Sequence, residues 1–196
     1  RLLAHIRPGE WIYSTAKTDI SNFSQYEHLK TLEDKVKGDK DLSSTLGRDY
    51  IVQPDIIVAR IPVSDEEINK KGIILKEGDE VSKLTRLRRN NLSSSINILH
   101  ASISCKWTIR SDRSQNTRTE ALNLIRNRKG NLPHVVAVTA EPLPTRIAAL
   151  ALGTGDLDCV YHFALHELQK ALIDLDNEDQ KDILDIMIKG NRLRDI

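Results

Sequence analysis

The sequence predicts an α/β fold in which a central mixed β-sheet is flanked by helices. Short apolar runs rich in β-branched residues, such as Ile56-Ile57-Val58, have the length and composition of buried strands. Longer polar stretches with apolar residues at helical spacing lie between and after these runs. At 196 residues, 39% hydrophobic and 29% charged, the chain is large enough to bury a core. We therefore expect residues 1–196 to form a single domain.

The N-terminal half contains one predicted helix and one predicted strand. Apolar residues at near-helical spacing predict a helix over 24–35. The β-branched run over 50–61 predicts a buried strand. Residues 64–98 are charged and interrupted by glycines, which indicates loops and a helix on the surface.

Strands and helices alternate in the C-terminal half. A strand over 99–109 has alternating polar and apolar side chains, which places Lys106 on its polar face. A helix follows, with Ser111 as its predicted N-cap and Gly130 as its stop. The remaining segments are a strand, a short helix, a strand and a helical C-terminus, over 134–139, 144–152, 157–162 and 163–196.

Charge is distributed unevenly along a chain whose net charge is only +1. Residues 106–130 carry a net charge of +5, whereas residues 163–196 carry a net charge of −3. A basic middle and an acidic tail indicate one surface that faces a polyanion and another that faces away. A solvated basic helix without a partner is the alternative.

Other features exclude some classes of protein. No apolar run approaches the ~20 residues of a membrane span, and the N-terminus does not resemble a signal peptide. Cys105 and Cys159 are not in a C-x-x-C pair, which argues against structural zinc. Both lie in apolar runs, and we expect buried free thiols in a reducing cytoplasm rather than a disulfide. Residue 1 is arginine, so we expect the chain to lack its N-terminal region.

Asp55 and Lys106 stand on neighbouring predicted strands, and Glu120 stands in the helix that follows. Carboxylates that hold Mg²⁺, together with a lysine, can orient a water and neutralise the charge on a phosphate. Ser104 occupies the position of the middle acid in a P-D…(D/E)-x-K pattern. Taken together, these residues indicate metal-dependent phosphodiester hydrolysis. Taken alone, an isolated Asp, Lys or Glu residue is most often an ordinary solvated side chain.

A second group of polar residues, Arg110-Ser111-Asp112-Arg113, begins four positions after Lys106. Arginine pairs bidentately with O6 and N7 of guanine, and aspartate accepts a hydrogen bond from N4 of cytosine. Such a set at a helix start suits two consecutive C·G pairs in the major groove. The alternative is a helix start with an acidic residue and two surface arginines.

Several longer stretches match the pattern of a known enzyme family. They are His5-Ile6-Arg7-Pro8-Gly9 with Trp11, Pro54-Asp55-Ile56-Ile57-Val58, Leu99-His100-Ala101 through Arg113, Leu122-Asn123-Leu124, Arg126-Asn127-Arg128-Lys129-Gly130, Thr139-Ala140-Glu141-Pro142 and Ala149 to Leu165. On these stretches the chain resembles the NgoMIV family of type II restriction endonucleases, which have the PD-(D/E)xK restriction-endonuclease-like fold and cut at sites with a CCGG core. The resemblance covers nearly the whole chain and is weakest at 64–98.

The resemblance implies a catalytic set and a metal site. Asp55, Lys106 and Glu120 match the catalytic residues. Asp55, Glu120 and the backbone carbonyl of Cys105 match the metal ligands, with two Mg²⁺ ions implied for each active site. The family's longer N-terminal part supplies a further glutamate, whose motif Glu27 and Glu33 do not match.

The resemblance also implies which residues contact the bases. Arg110, Asp112 and Arg113 match the residues that contact CCGG, and Arg146 matches the contact to the outer base pair, which extends the site to GCCGGC. The implied protein is a Mg²⁺-dependent endonuclease of the bacterial cytoplasm that leaves 5′ overhangs and acts as a homodimer or homotetramer. The alternatives are a DNA-binding or assembly fragment that lacks cleavage activity, and a structure-selective repair or resolvase nuclease of the same fold.

Overall fold

A mixed β-sheet runs through the computed structural model, which describes residues 6–7, 9–38, 51–89, 96–153 and 155–196. Within these ranges the sheet has six strands in sequence order. The first two pairings in this order are antiparallel, and the remaining three are parallel. The strands are β1 (Trp11–Ser14), β2 (Ile56–Arg60), β3 (Ile98–Lys106), β4 (His134–Thr139), β5 (Cys159–His162) and β6 (Leu193–Asp195).

Helices occupy the connections between these strands. They are α1 (Glu27–Lys37), α2 (Asp65–Ile68), α3 (Ser111–Asn127), α4 (Pro144–Ala151), α5 (Leu165–Asp174) and α6 (Glu178–Lys189), with 3₁₀ turns at Ile20–Asn22 and Asn69–Lys71. Each parallel strand pair from β3 onward is joined through helices, as parallel crossovers require. Among the described residues, no helix is long and apolar enough to cross a membrane.

The predicted fold class is confirmed, and the bounds of β4 are those predicted. The short strands β1 and β6 were not predicted. In β6 only Leu193 is apolar, and the strand exists because it pairs with β5 at the sheet edge. The predicted strand over 50–61 begins only at Ile56, and its first residue lies outside the described part of the chain. Ser111 is the first residue of α3 rather than its N-cap, which is Arg110.

The two faces of β3 differ in how well they are covered. Ser102 and Ser104 are buried. Because side chains alternate along a strand, Lys106 lies on the same face of β3 as these two serines. Cys105 points the other way and is exposed, so the prediction of a buried thiol was wrong there. Cys159 is half-buried, and both cysteines are free. The polar face of the strand is therefore the buried one, and Lys106 lies near enough to α3 for its charge to act on Glu120.

The C-terminal end of α3 is capped by the segment before α1. Leu124 lies in the last turn of α3, where carbonyl groups have no partner within the helix. The buried hydroxyl of Tyr26 donates to the Leu124 carbonyl oxygen at 2.9 Å. Burial raises the pKa of the Tyr26 phenol, so it keeps the proton that it donates. The amide N–H of Lys129 donates to the carbonyl of Gln25 at 2.8 Å.

Tyr26→Phe is expected to lower the free energy of unfolding by about 1 kcal/mol, because it removes this hydrogen bond and leaves the Leu124 carbonyl buried without it. Urea titration of both proteins measures the difference. Tyr13→Phe is the matched control, because Tyr13 is 52% exposed and its variant should unfold like the parent. Equal midpoints for Tyr26→Phe and the parent would contradict the capping role.

Candidate active site

Asp55 and Lys106 are brought together by the antiparallel pairing of β2 with β3. Asp55 directly precedes β2, Lys106 ends β3, and Ile56 pairs with Ile103. The start of one strand therefore lies beside the end of the other. Oδ2 of Asp55 accepts a hydrogen bond from the Cys105 amide N–H at 2.7 Å and lies 3.4 Å from Nζ of Lys106. This contact orients both charged groups at one corner of the sheet.

Glu120 reaches the same corner from α3. Its carboxylate is partly buried and accepts a hydrogen bond from the Asn116 side-chain amide at 2.9 Å. Burial raises the pKa of Glu120, and the charge of Asp55 raises it further. Lys106 and the Asn116 hydrogen bond act in the opposite direction. Without a metal, the protein therefore disfavours the ionised form of Glu120. A cation bound between Glu120 and Asp55 would favour that ionised form.

Two open clefts meet at these residues. The larger has a volume of about 570 Å³ and is lined by Lys17, Asp19, Glu33, Lys37, Ile51, Val52, Gln53, Asp55 and Glu120. The other has a volume of about 480 Å³ and is lined by Cys105, Lys106, Trp107, Asp112 and Asn116. The larger cleft contains the carboxylates of Asp55 and Glu120. The other contains Lys106 together with Asp112. The contacts of Asp55 with Cys105 and Lys106, and of Glu120 with Asn116, join the linings of the two clefts.

The chemistry of these donors fits a hard divalent cation. The carboxylates of Asp55 and Glu120 and a backbone carbonyl are oxygen donors, and Mg²⁺ is commonly held by one or two carboxylates and waters. Burial and the charge of Asp55 raise the pKa of the Cys105 thiol, which disfavours a thiolate ligand. In the described part of the chain, no cluster of three His, Cys, Asp or Glu side chains could hold a metal. Two carboxylates and one carbonyl would leave further coordination positions of a Mg²⁺ ion to water.

The candidate base-contacting residues lie at the starts of two helices. Arg110 is the N-cap of α3, and both it and Asp112 are exposed, whereas the side chain of Arg113 lies outside the described part of the structure. Arg146 lies in the first turn of α4 and is half-exposed. Its described ion-pair partner is Glu141, with Nη1 3.6 Å from Oε1, rather than any residue at the Asp55 corner.

Some residues of the site were not predicted from the sequence. Asn116 holds Glu120, and its spacing of i,i+4 on one helix could have indicated this. Glu33 was set aside, yet it lies in the cleft with Asp55. Glu141 follows β4, and no role was predicted for it, but it is fully buried. No local pattern distinguishes it from a solvated acid.

Comparison with known proteins gives two matches. A family model described as NgoMIV restriction enzyme matches residues 1–196. The chain is 50% identical over 198 residues to the type II restriction enzyme NgoMIV of Neisseria gonorrhoeae. That alignment covers 99% of this chain and 68% of the relative. Both matches include the Asp55 corner and the starts of α3 and α4.

Proposed function

Since the chain belongs to the NgoMIV restriction enzyme family, we propose that it cuts double-stranded DNA at GCCGGC in a Mg²⁺-dependent reaction that leaves 5′ overhangs. The chain is a type II restriction enzyme and therefore a site-specific endonuclease. The observation that carries the proposed chemistry is the contact between Asp55 and Lys106, with Glu120 beside them in the cleft.

Asp55 and Glu120, with the carbonyl of Cys105, would hold two Mg²⁺ ions. Bound there, Mg²⁺ would supply positive charge beside the phosphate and would make a bound water more acidic. Lys106 extends from the end of β3, where its ammonium group neutralises charge on the scissile phosphate or holds the attacking water. Asp55 keeps that ammonium in place, and Asn116 orients the Glu120 carboxylate.

Sequence recognition is assigned to the starts of α3 and α4. Arg110 and Arg113 contact the guanines of the CCGG core, and Asp112 accepts a hydrogen bond from a cytosine. Arg146 contacts the outer G·C pair. The exposure of Arg110, Asp112 and Arg146 supports these roles, because each side chain is accessible to a DNA groove. A palindromic site requires two copies of the same protein surface, so the enzyme acts as a homodimer or homotetramer. We expect the enzyme to act in the bacterial cytoplasm, where DNA is found.

The test is cleavage of plasmids by the full-length protein. One plasmid carries a single GCCGGC site, a second has the outer pair changed, and a third has the CCGG core changed. We expect linear DNA from the first plasmid only, with Mg²⁺ and not with EDTA. Sequencing of the ends measures the overhang. Cutting that ignores the CCGG core would refute the proposed specificity, and cutting in EDTA would refute the metal dependence.

Arg110→Ala is expected to lower kcat/KM on GCCGGC by about 10- to 100-fold, because one bidentate contact to guanine is lost. The loss should be much smaller on a site whose corresponding base pair has been changed. Steady-state cleavage of the two plasmids measures both effects. Arg194→Ala is the control, since Arg194 is an exposed arginine on β6. An equal loss on both plasmids would contradict a base contact by Arg110.

A further inference from the structure

Glu141 is the most deeply buried carboxylate in the described part of the chain, with no exposed surface. It lies just after β4, between the starts of α3 and α4. Fully buried charges are rare, because they lose their hydration unless other groups replace it. The groups that contact the Glu141 carboxylate in place of water therefore indicate its role.

The carboxylate contacts the two helix starts at once. Its Oε2 accepts a hydrogen bond from the backbone N–H of Ile109 at 2.7 Å. Its Oε1 accepts one from the N–H of Leu143 at 3.2 Å and lies 3.6 Å from Nη1 of Arg146. Ile109 directly precedes Arg110, the N-cap of α3, and Leu143 is the N-cap of α4. One side chain thus links both elements that are proposed to contact bases.

The backbone of Glu141 is itself held firmly. Its N–H donates to Oγ1 of Thr139 at 3.1 Å, and its carbonyl lies 3.0 Å from Nε2 of buried His162. The preceding N–H, that of Ala140, donates to the carbonyl of Trp107 at 3.2 Å. These contacts hold the backbone of Glu141 between the two helix starts, so its carboxylate is a common anchor for both of them.

We infer that Glu141 is a positioning residue that sets the inner and outer base contacts at a fixed spacing, an inference that rests on the proposed GCCGGC specificity. Arg146 is held at one side by the buried carboxylate, while its side chain remains 52% exposed toward solvent. Ile109 is 2% exposed, so its N–H bond to Glu141 fixes the chain just before Arg110. Small misplacements of such groups are costly, because base recognition depends on bidentate geometry.

Glu141→Gln tests this with almost no change in size. Glutamine has one acceptor oxygen, and its NH₂ group must face the N–H of either Ile109 or Leu143. It also leaves Arg146 without its buried negative partner. We expect the ratio of kcat/KM on GCCGGC to kcat/KM on a site with a changed outer pair to fall about tenfold. The corresponding ratio for a changed core pair should also fall.

A residue that only supports the fold would change cleavage of all sites by the same factor, and unchanged ratios would overturn the inference. Glu178→Gln is the matched control, because Glu178 is exposed on α6 and pairs only with Lys181 in the described contacts. Its ratios should equal those of the parent. If the parent enzyme does not discriminate GCCGGC at all, the proposed function fails, and this inference fails with it. If the parent discriminates and Glu141→Gln does so equally well, only the inference fails.

Arg146→Ala gives a second measurement that does not depend on the folding of Glu141→Gln. This variant keeps the buried carboxylate of Glu141 and removes the positively charged guanidinium that pairs with it. We expect it to abolish outer-pair discrimination and to weaken core discrimination about threefold, because Glu141 also holds Ile109. In the double variant, outer-pair discrimination should match that of Arg146→Ala alone. The inference would be overturned if Arg146→Ala left core discrimination unchanged. It would also be overturned if the losses of outer-pair discrimination in the two single variants added up in the double variant.

Discussion

Asp55→Asn is expected to reduce DNA cleavage by about 10³-fold or more while duplex binding to GCCGGC is retained. Asparagine has nearly the same size, and its oxygen can still accept the hydrogen bond from the Cys105 N–H. It lacks the negative charge that faces Lys106 and would help to hold Mg²⁺. The variant therefore removes the charge of Asp55 but keeps its hydrogen bond to the Cys105 N–H.

Single-turnover cleavage with Mg²⁺ and a mobility shift without Mg²⁺ measure the two properties separately. Asp34→Asn provides the control, because Asp34 is an exposed carboxylate on α1 outside the clefts described above. It should cut like the parent. If Asp55→Asn loses binding and cleavage in parallel, Asp55 has a structural role, and if it cuts normally, Asp55 is not in the reaction centre.

The Asp55–Lys106 corner could be predicted because each residue is tied to a strong local signal. Asp55 directly precedes the β-branched run of β2, and Lys106 ends a run of alternating polar and apolar residues. Antiparallel neighbouring strands bring the start of one beside the end of the other. The helix carrying Glu120 was equally clear from its position after β3. Elements of this kind are specified by residues close in sequence, so composition and periodicity are sufficient to find them.

Other parts of the site depend on contacts between distant residues. Glu141 and Ile109 are 32 positions apart, and the buried state of Glu141 results from the packing of α3 and α4 starts around it. The exposure of Cys105 likewise depends on which face of β3 the helices cover. A pattern of alternation gives the two faces of a strand but not which of them is covered. The polar face of β3 proved to be the buried one.

Under the proposed function, the same corner would couple recognition to cleavage. Lys106 and Asp112 line one cleft, and Asp55 and Glu120 line the adjoining one. The segment between Lys106 and Asp112 is short and is fixed by the buried side chain of Ile109. A displacement of the start of α3, which is proposed to contact bases, would therefore move the lysine as well. Under the proposed function, a wrong base pair disturbs both groups together.

Glu120→Gln is expected to change activity and stability in opposite directions. Cleavage should fall by about 10²- to 10³-fold, because a carboxylate proposed to hold Mg²⁺ is replaced by a neutral amide. The amide oxygen can still accept the hydrogen bond from Asn116. Single-turnover cleavage measures the loss, and Glu178→Gln again serves as the control, with parent-like activity expected.

Stability should instead rise in the absence of metal. The pKa of Glu120 in the folded protein is raised above its ordinary value of 4.5, chiefly by burial. A carboxyl group with a raised folded pKa contributes stability below its unfolded pKa and loses that contribution as pH rises through the folded pKa. At pH 7 with EDTA, Glu120→Gln should therefore have a higher urea midpoint than the parent. The difference should shrink as pH falls from the raised folded pKa toward about 4.5. At lower pH it should vanish, because the Glu120 side chain is then neutral in both the folded and the unfolded protein.

Added Mg²⁺ separates the metal role of Glu120 from simple burial. A ligand that binds only the folded state stabilises it, so the parent should gain more from Mg²⁺ than the variant does. The advantage of Glu120→Gln at pH 7 should then decrease or reverse as Mg²⁺ is added. Equal gains in both proteins would show that Glu120 does not hold the ion, even if cleavage were lost. A lower midpoint for the variant in EDTA at pH 7 would contradict the raised pKa, since it would mean that the ionised carboxylate stabilises the fold.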